Sequence, residues 1–226
     1  MTYLKSHWQL LALTALIFAL WQTPVVVPLK ILVVFLHELS HALAAWLTGG
    51  SVEQISLSLQ QGGFAITRGG NLFAILTAGY LGSLVLGTGL LLAALRSEAD
   101  RAVTALLGAV MLLVTLLYVR DLFAAAFCAL TGVALLAMAR YLGHAANDMA
   151  LRVIGLSSLI YVPYDIFDDT IARSTQRSDA YMLAEAFGGT TMIWGAIWLG
   201  LSLVVIIWCF RKVLGATTNI AFRTAQ

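Results

Sequence analysis

Seven stretches of roughly twenty mostly apolar residues occupy nearly all of this 226-residue chain, near positions 8–28, 30–48, 72–94, 102–119, 122–140, 149–167 and 189–210. A bilayer core about 30 Å thick takes about 20 helical residues to cross, and within it every backbone N–H and C=O must be paired inside the protein. Helices meet that demand segment by segment. Charged residues make up only 11% of the chain, against about 25% in soluble domains, so no large water-facing unit accompanies the spans. The expected fold is an all-α polytopic membrane protein of six or seven transmembrane helices, forming a single integral membrane domain over residues 1–226. Pro24 and Pro28 leave the first pair of segments ambiguous, because proline ends or kinks a helix. Lys5 and the apolar run Leu10 to Leu20 resemble a signal peptide, but Trp21-Gln22-Thr23-Pro24 lacks the small-residue cleavage pattern, so this segment is expected to be retained.

His37-Glu38-Leu39-Ser40-His41 lies inside the second of these segments. Residues four apart share one face of a helix, so His37 and His41 can offer two imidazole nitrogens to one metal ion. Glu38 then stands beside that ion, where its carboxylate can act as general base toward a water acidified by zinc. Each ionisable residue in a spanning helix costs about 2.5–3.5 kcal/mol to insert, which makes three together hard to explain by helix packing alone. The formal charge of +2 arises from Lys and Arg scattered at segment ends, a distribution that excludes a nucleic-acid interface. Cys128 and Cys209 lie in apolar runs and read as small buried or lipid-facing residues.

Between the second and third spans the period changes. Ile55, Leu57 and Leu59 alternate with Ser56, Ser58 and Gln60, and Phe64 and Ile66 alternate with Ala65 and Thr67, which is a strand period. The pattern predicts a short β-hairpin there, with Gly62-Gly63 supplying the positive φ angles of its turn and Gly69-Gly70 closing it. The edge of such a hairpin can take an extended substrate by backbone hydrogen bonding, so Gly62, Gly63 and Phe64 are candidate substrate-binding residues. The third span then carries a small-residue face, Ala78-Gly79-Tyr80-Leu81-Gly82-Ser83 with Gly87 and Gly89, suited to close helix approach.

A catalytic zinc typically has three protein ligands, so one position remains to be filled. Glu53, Glu98, Asp100 and Asp121 sit at segment ends, where solvation accounts for them. His144 and Asp148 lie one turn apart with Asn147 and Arg152 nearby, a pattern that reads as an interfacial cap. Asp165, Asp168 and Asp169 end the long apolar stretch Val153 to Val162 and share one helical face. Asp165 is the first candidate ligand, being deepest and just after Pro163, with Asp168 and Asp169 as alternates. Ser178-Asp179 reads as the N-terminal cap of a following helix.

On His37-Glu38-Leu39-Ser40-His41, its flanks Phe35-Leu36 and Ala42-Leu43, and Ala78-Gly79-Tyr80-Leu81-Gly82 after the hairpin, the chain resembles the site-2 protease family of intramembrane zinc metallopeptidases. Tyr80 stands where that family carries proline, and its N-x-x-P-x-P-x-L-D-G stretch is not recognisable. The segment Tyr164 to Asp169, together with Arg177-Ser178-Asp179-Ala180, instead looks like a compact branch of peptidase-like relatives. The loop of about twenty residues after the zinc helix is too short for a PDZ domain, which exceeds the lower domain limit of about 50 residues. The resemblance implies a Zn2+-dependent endopeptidase acting on transmembrane protein or peptide substrates in a lipid bilayer, a multi-pass protein of the cell (inner) membrane if the source is bacterial. Two other functions fit the composition. A non-catalytic relative that binds transmembrane segments has no chemical need for Glu38, and a metal transporter needs ionisable residues at matching depths, which the third to fifth spans almost lack.

Overall fold

The computed structural model describes residues 2–173 and 176–220. Among them are eight α-helices and one β-hairpin: α1 Thr2–Leu20, α2 Val27–Leu47, β1 Ser51–Leu57, β2 Gly63–Arg68, α3 Leu72–Arg96, α4 Asp100–Tyr118, α5 Leu122–Tyr141, α6 His144–Phe167, α7 Asp179–Phe187 and α8 Thr191–Val213. Six helical segments are long and apolar enough to cross a membrane, namely Pro24–Leu47, Leu72–Arg96, Asp100–Tyr118, Leu122–Tyr141, His144–Ala172 and Thr191–Val213. The fold is the expected all-α membrane architecture with a hairpin between helices α2 and α3.

α1 is not one of the six. Lys5, His7 and Gln9 interrupt its first half, which leaves too short an apolar run. Two of their side chains have partners after α8: the His7 ring lies 3.1 Å from the Thr218 hydroxyl and Gln9 Oε1 accepts from Ile220 N at 2.6 Å, while the backbone carbonyls of Lys5 and Ser6 accept from Asn219 Nδ2 at 2.7 Å and Thr218 N at 3.0 Å. The segment after α8 therefore lies along the start of α1.

Small residues set the centre of the bundle. α3 and α6 run antiparallel, with Ser158 Oγ donating to Ser83 O at 2.8 Å and a Cβ on Gly155 falling 2.7 Å from Leu91 Cβ. Backbones that close leave no room for a side chain at Gly87 or Gly155. α2 is enclosed by α3, α6 and the hairpin, and Phe35, Leu36 and Ala42 are almost wholly buried. α4 and α5 meet through Gly108 and Gly132 and expose Leu116, Leu122 and Leu130, the pattern expected when the surrounding solvent is lipid.

The hairpin pairs Leu57 with Gly63 and Ser51 with Arg68, with a bulge between Val52 and Gln54. Val52, Ile55 and Leu57 bury one face, and Ile55 also bridges Val119 at the end of α4. β2 has no second strand partner among the described residues. The turn differs from the sequence expectation. Its positive φ falls on Gln61, at 64°, and Gly63 enters β2 as a strand residue.

Among the polar positions at segment ends, the buried ones, Asp100 and Asp148, depart from the solvated or capping reading. Asp100 is fully buried and pairs with His144 Nδ1 at 2.5 Å, and Asp148 pairs with Arg152 at 2.9 Å. Asp121 caps α5 through Ala124 N, and Glu53 pairs with Arg68 at 2.6 Å across the hairpin. Cys128 and Cys209 are buried free thiols.

Candidate active site

α2 places the His37 and His41 rings one above the other, with centroids 4.8 Å apart. The carboxylate that meets them comes from the first residue of α7. Asp179 Oδ2 lies 3.0 Å from His37 Nε2 and 3.2 Å from His41 Nε2. The donor atoms of His37, His41 and Asp179 all lie within 4.8 Å of one another, and this is the one such group of three among the described residues. Ser178 caps α7 by accepting from Tyr181 N, while Ala180 and Leu183 bury against the core and turn the helix start inward. Asp179 is thereby pointed at the histidines rather than used as the cap.

The supporting contacts suit metal ligation. His41 Nδ1 donates to Ile75 O at 2.7 Å, which leaves its Nε2 lone pair facing the group. Burial alone would raise the Asp179 carboxyl; the adjacent His41 and His37 outweigh it and hold the carboxyl well below the usual carboxylate range. Two imidazoles and one carboxylate form a donor set familiar for catalytic zinc, with a further position open. The space also fits. A Cβ on Gly79 would sit 2.6 Å from Asp179 Oδ2 and against His37 Nε2, so only glycine keeps this volume clear.

Glu38 lies one residue along α2, buried at 4% exposure. Its Oε1 approaches β2 so closely that a Cβ on Gly63 would come within 2.7 Å. His37, Glu38, His41 and Asp179 face a cavity of about 520 Å³ that the tip of the hairpin helps to wall, with Gly62, Gly63 and Phe64 among its lining residues. Tyr161 fixes that tip by donating to Gln61 O at 3.1 Å.

Asp165 and Asp169 line the same cavity but do not belong to the histidine group; Asp168 turns outward to Arg173 at 2.6 Å. Past Pro163 the chain widens into a π-helical turn, Asp168–Ala172, closed by Arg173 N donating to Asp168 O at 2.7 Å. That turn directs Asp169 toward α3, where it accepts from the Tyr80 hydroxyl at 2.5 Å. Depth in the apolar segment had favoured Asp165 as the ligand, whereas the carboxylate beside the imidazoles is that of Asp179. A sequence signal for it exists: Asp179 shares a helical face with Leu183, the buried face of α7.

The family model described as Peptidase M50B-like matches residues 10–209. Comparison with curated proteins and with solved structures gave no match.

Proposed function

This chain belongs to the Peptidase M50B-like, or site-2 protease, family, and from that membership we propose that it is a zinc-dependent intramembrane endopeptidase acting on membrane-protein substrates. The observation that carries the proposal is the meeting of His37, His41 and Asp179 with Glu38 beside them on one cavity. In this reading His37, His41 and Asp179 hold the ion. Bound there, Zn2+ would act as a Lewis acid on the scissile carbonyl and make a water acidic enough to be deprotonated near neutral pH.

The chain's own groups supply the rest. The Glu38 carboxylate takes a proton from the attacking water and delivers it to the amide nitrogen as the C–N bond breaks. Burial of Glu38 keeps bulk water from competing for that proton and strengthens its interaction with the reacting atoms. The edge of β2 that has no strand partner among the described residues would offer backbone N–H and C=O groups to an extended substrate, with Gly62, Gly63 and Phe64 lining the same cavity as the metal group. Gly63 keeps the passage between hairpin and Glu38 free of a side chain. The whole described chain would serve as a single membrane metallopeptidase domain.

Glu38→Gln tests this directly. The variant is expected to retain its fold and one zinc per chain, yet to cleave labelled casein or a reconstituted single-span peptide at least about a hundredfold more slowly. Cleavage at the wild-type rate would refute the proposed role of Glu38, and wild-type protein without bound zinc would refute the metal site.

A further inference from the structure

Tyr80 lies on the cavity wall, and the steps assigned to Glu38 leave it without a role. It is 1% exposed, its ring stands edge-on to His37 at 4.9 Å, and Trp198 packs against it at 5.0 Å. The ring is therefore fixed between a candidate ligand and the core. Its hydroxyl donates to Asp169 Oδ2 at 2.5 Å, and Asp169 is independently held by Arg173 at 2.9 Å through Oδ1. Asp169 thus keeps a cationic partner when the phenol proton points elsewhere. Redirecting that proton takes only rotation about the phenol C–O bond.

Peptide hydrolysis places negative charge on the former carbonyl oxygen, and a donor held ready in a buried site stabilises that charge more than the ground state. Resting on the peptidase reading above, we propose that Tyr80 is a catalytic residue, whose phenol O–H donates a hydrogen bond to the oxyanion of the tetrahedral intermediate. As water oxygen bonds to the carbonyl carbon, the C=O π pair moves onto oxygen and Tyr80 turns its O–H from Asp169 to that atom. The proton stays on Tyr80. Collapse restores the C=O bond, breaks the C–N bond, and sends to nitrogen the proton held by Glu38. The π-turn at Asp168–Ala172 explains why Asp169 is near enough to hold the phenol in the resting site.

Tyr80→Phe keeps the ring and removes the donor. Purified wild type, Tyr80→Phe and Glu38→Gln are compared on labelled casein for kcat and KM, zinc content, melting temperature, and affinity for a phosphinic peptide that imitates the tetrahedral oxyanion. Tyr80→Phe is expected to hold zinc and melt as wild type, with KM within about threefold and kcat lower by about 10²–10³-fold. Its affinity for the phosphinic peptide falls at least about tenfold. A kcat within about threefold of wild type overturns the assignment, as does loss of zinc or of the melting transition, either of which makes Tyr80 a packing residue. Wild type no faster than Glu38→Gln removes the peptidase reading and this inference together, whereas active wild type with active Tyr80→Phe removes only the inference.

Discussion

In the proposed metal site Asp179 would supply an oxygen, and Gly79 leaves clear the space beside His37 and Asp179. Asp179→Asn keeps the size of the side chain and removes its charge, and should lower zinc affinity at least about tenfold in a competition titration. Asp165→Asn should leave zinc stoichiometry at the wild-type value; loss of zinc there would return Asp165 to the ligand set. Gly79→Ala is expected to release zinc even though alanine suits a helix interior better by about 0.5–1 kcal/mol, because its Cβ would stand between His37 and Asp179. Metal analysis of the purified variant decides the matter. The HExxH half of the group was legible because one helical turn fixes it, whatever the rest of the chain does. Asp179 lies 142 residues from His37, and no local period encodes that meeting. Locally Ser178-Asp179 already made sense as a cap, and Ser178 is indeed the cap, which hid the contact of its neighbour with the histidines.

At the scale of elements, the hairpin was readable from alternation, since Ile55 and Leu57 face α2 while Ser56 and Gln54 do not pack as deeply. What alternation does not carry is the use of each glycine. The positive φ of the turn falls on Gln61 instead, and Gly63 lies where a Cβ would come within 2.7 Å of Glu38 and 2.9 Å of Val34. Gly63→Ala should therefore preserve zinc content and lower kcat, measured alongside Glu38→Gln, since its methyl group would displace Glu38 without touching the ligands. α7 was likewise foreseen as a capped helix but not as the element that brings Asp179 to His37 and His41. Removing its cap in Ser178→Ala should cost about 1 kcal/mol of stability and weaken zinc binding by a smaller factor than Asp179→Asn does, because only the helix start frays. The first apolar segment, near 8–28, is not among the six candidate spans for a physical reason visible in the sequence. Lys5, His7 and Gln9 shorten its apolar run, and their partners near Thr218 emerge only in the folded chain.

Over the whole molecule, the metal would join α2 to α7, two elements that otherwise meet mainly through α3. Ligand binding to the folded state alone stabilises it by about 2.7 kcal/mol at a hundred times the dissociation constant. Chelation should accordingly lower the melting temperature and expose the 176–190 segment to protease, with zinc restoring both; His37→Ala should show neither response, and Glu38→Gln should show both. The same long-range closure has a consequence in time. At ~5–20 residues/s of synthesis, the 142 residues that separate His37 from Asp179 take roughly 7–28 s to make. Through that interval the nascent chain carries His37, Glu38 and His41 without Asp179. On the proposed assignment the newborn protein would be inert while its first helices are inserted, and competence would arrive only after α7 has been made.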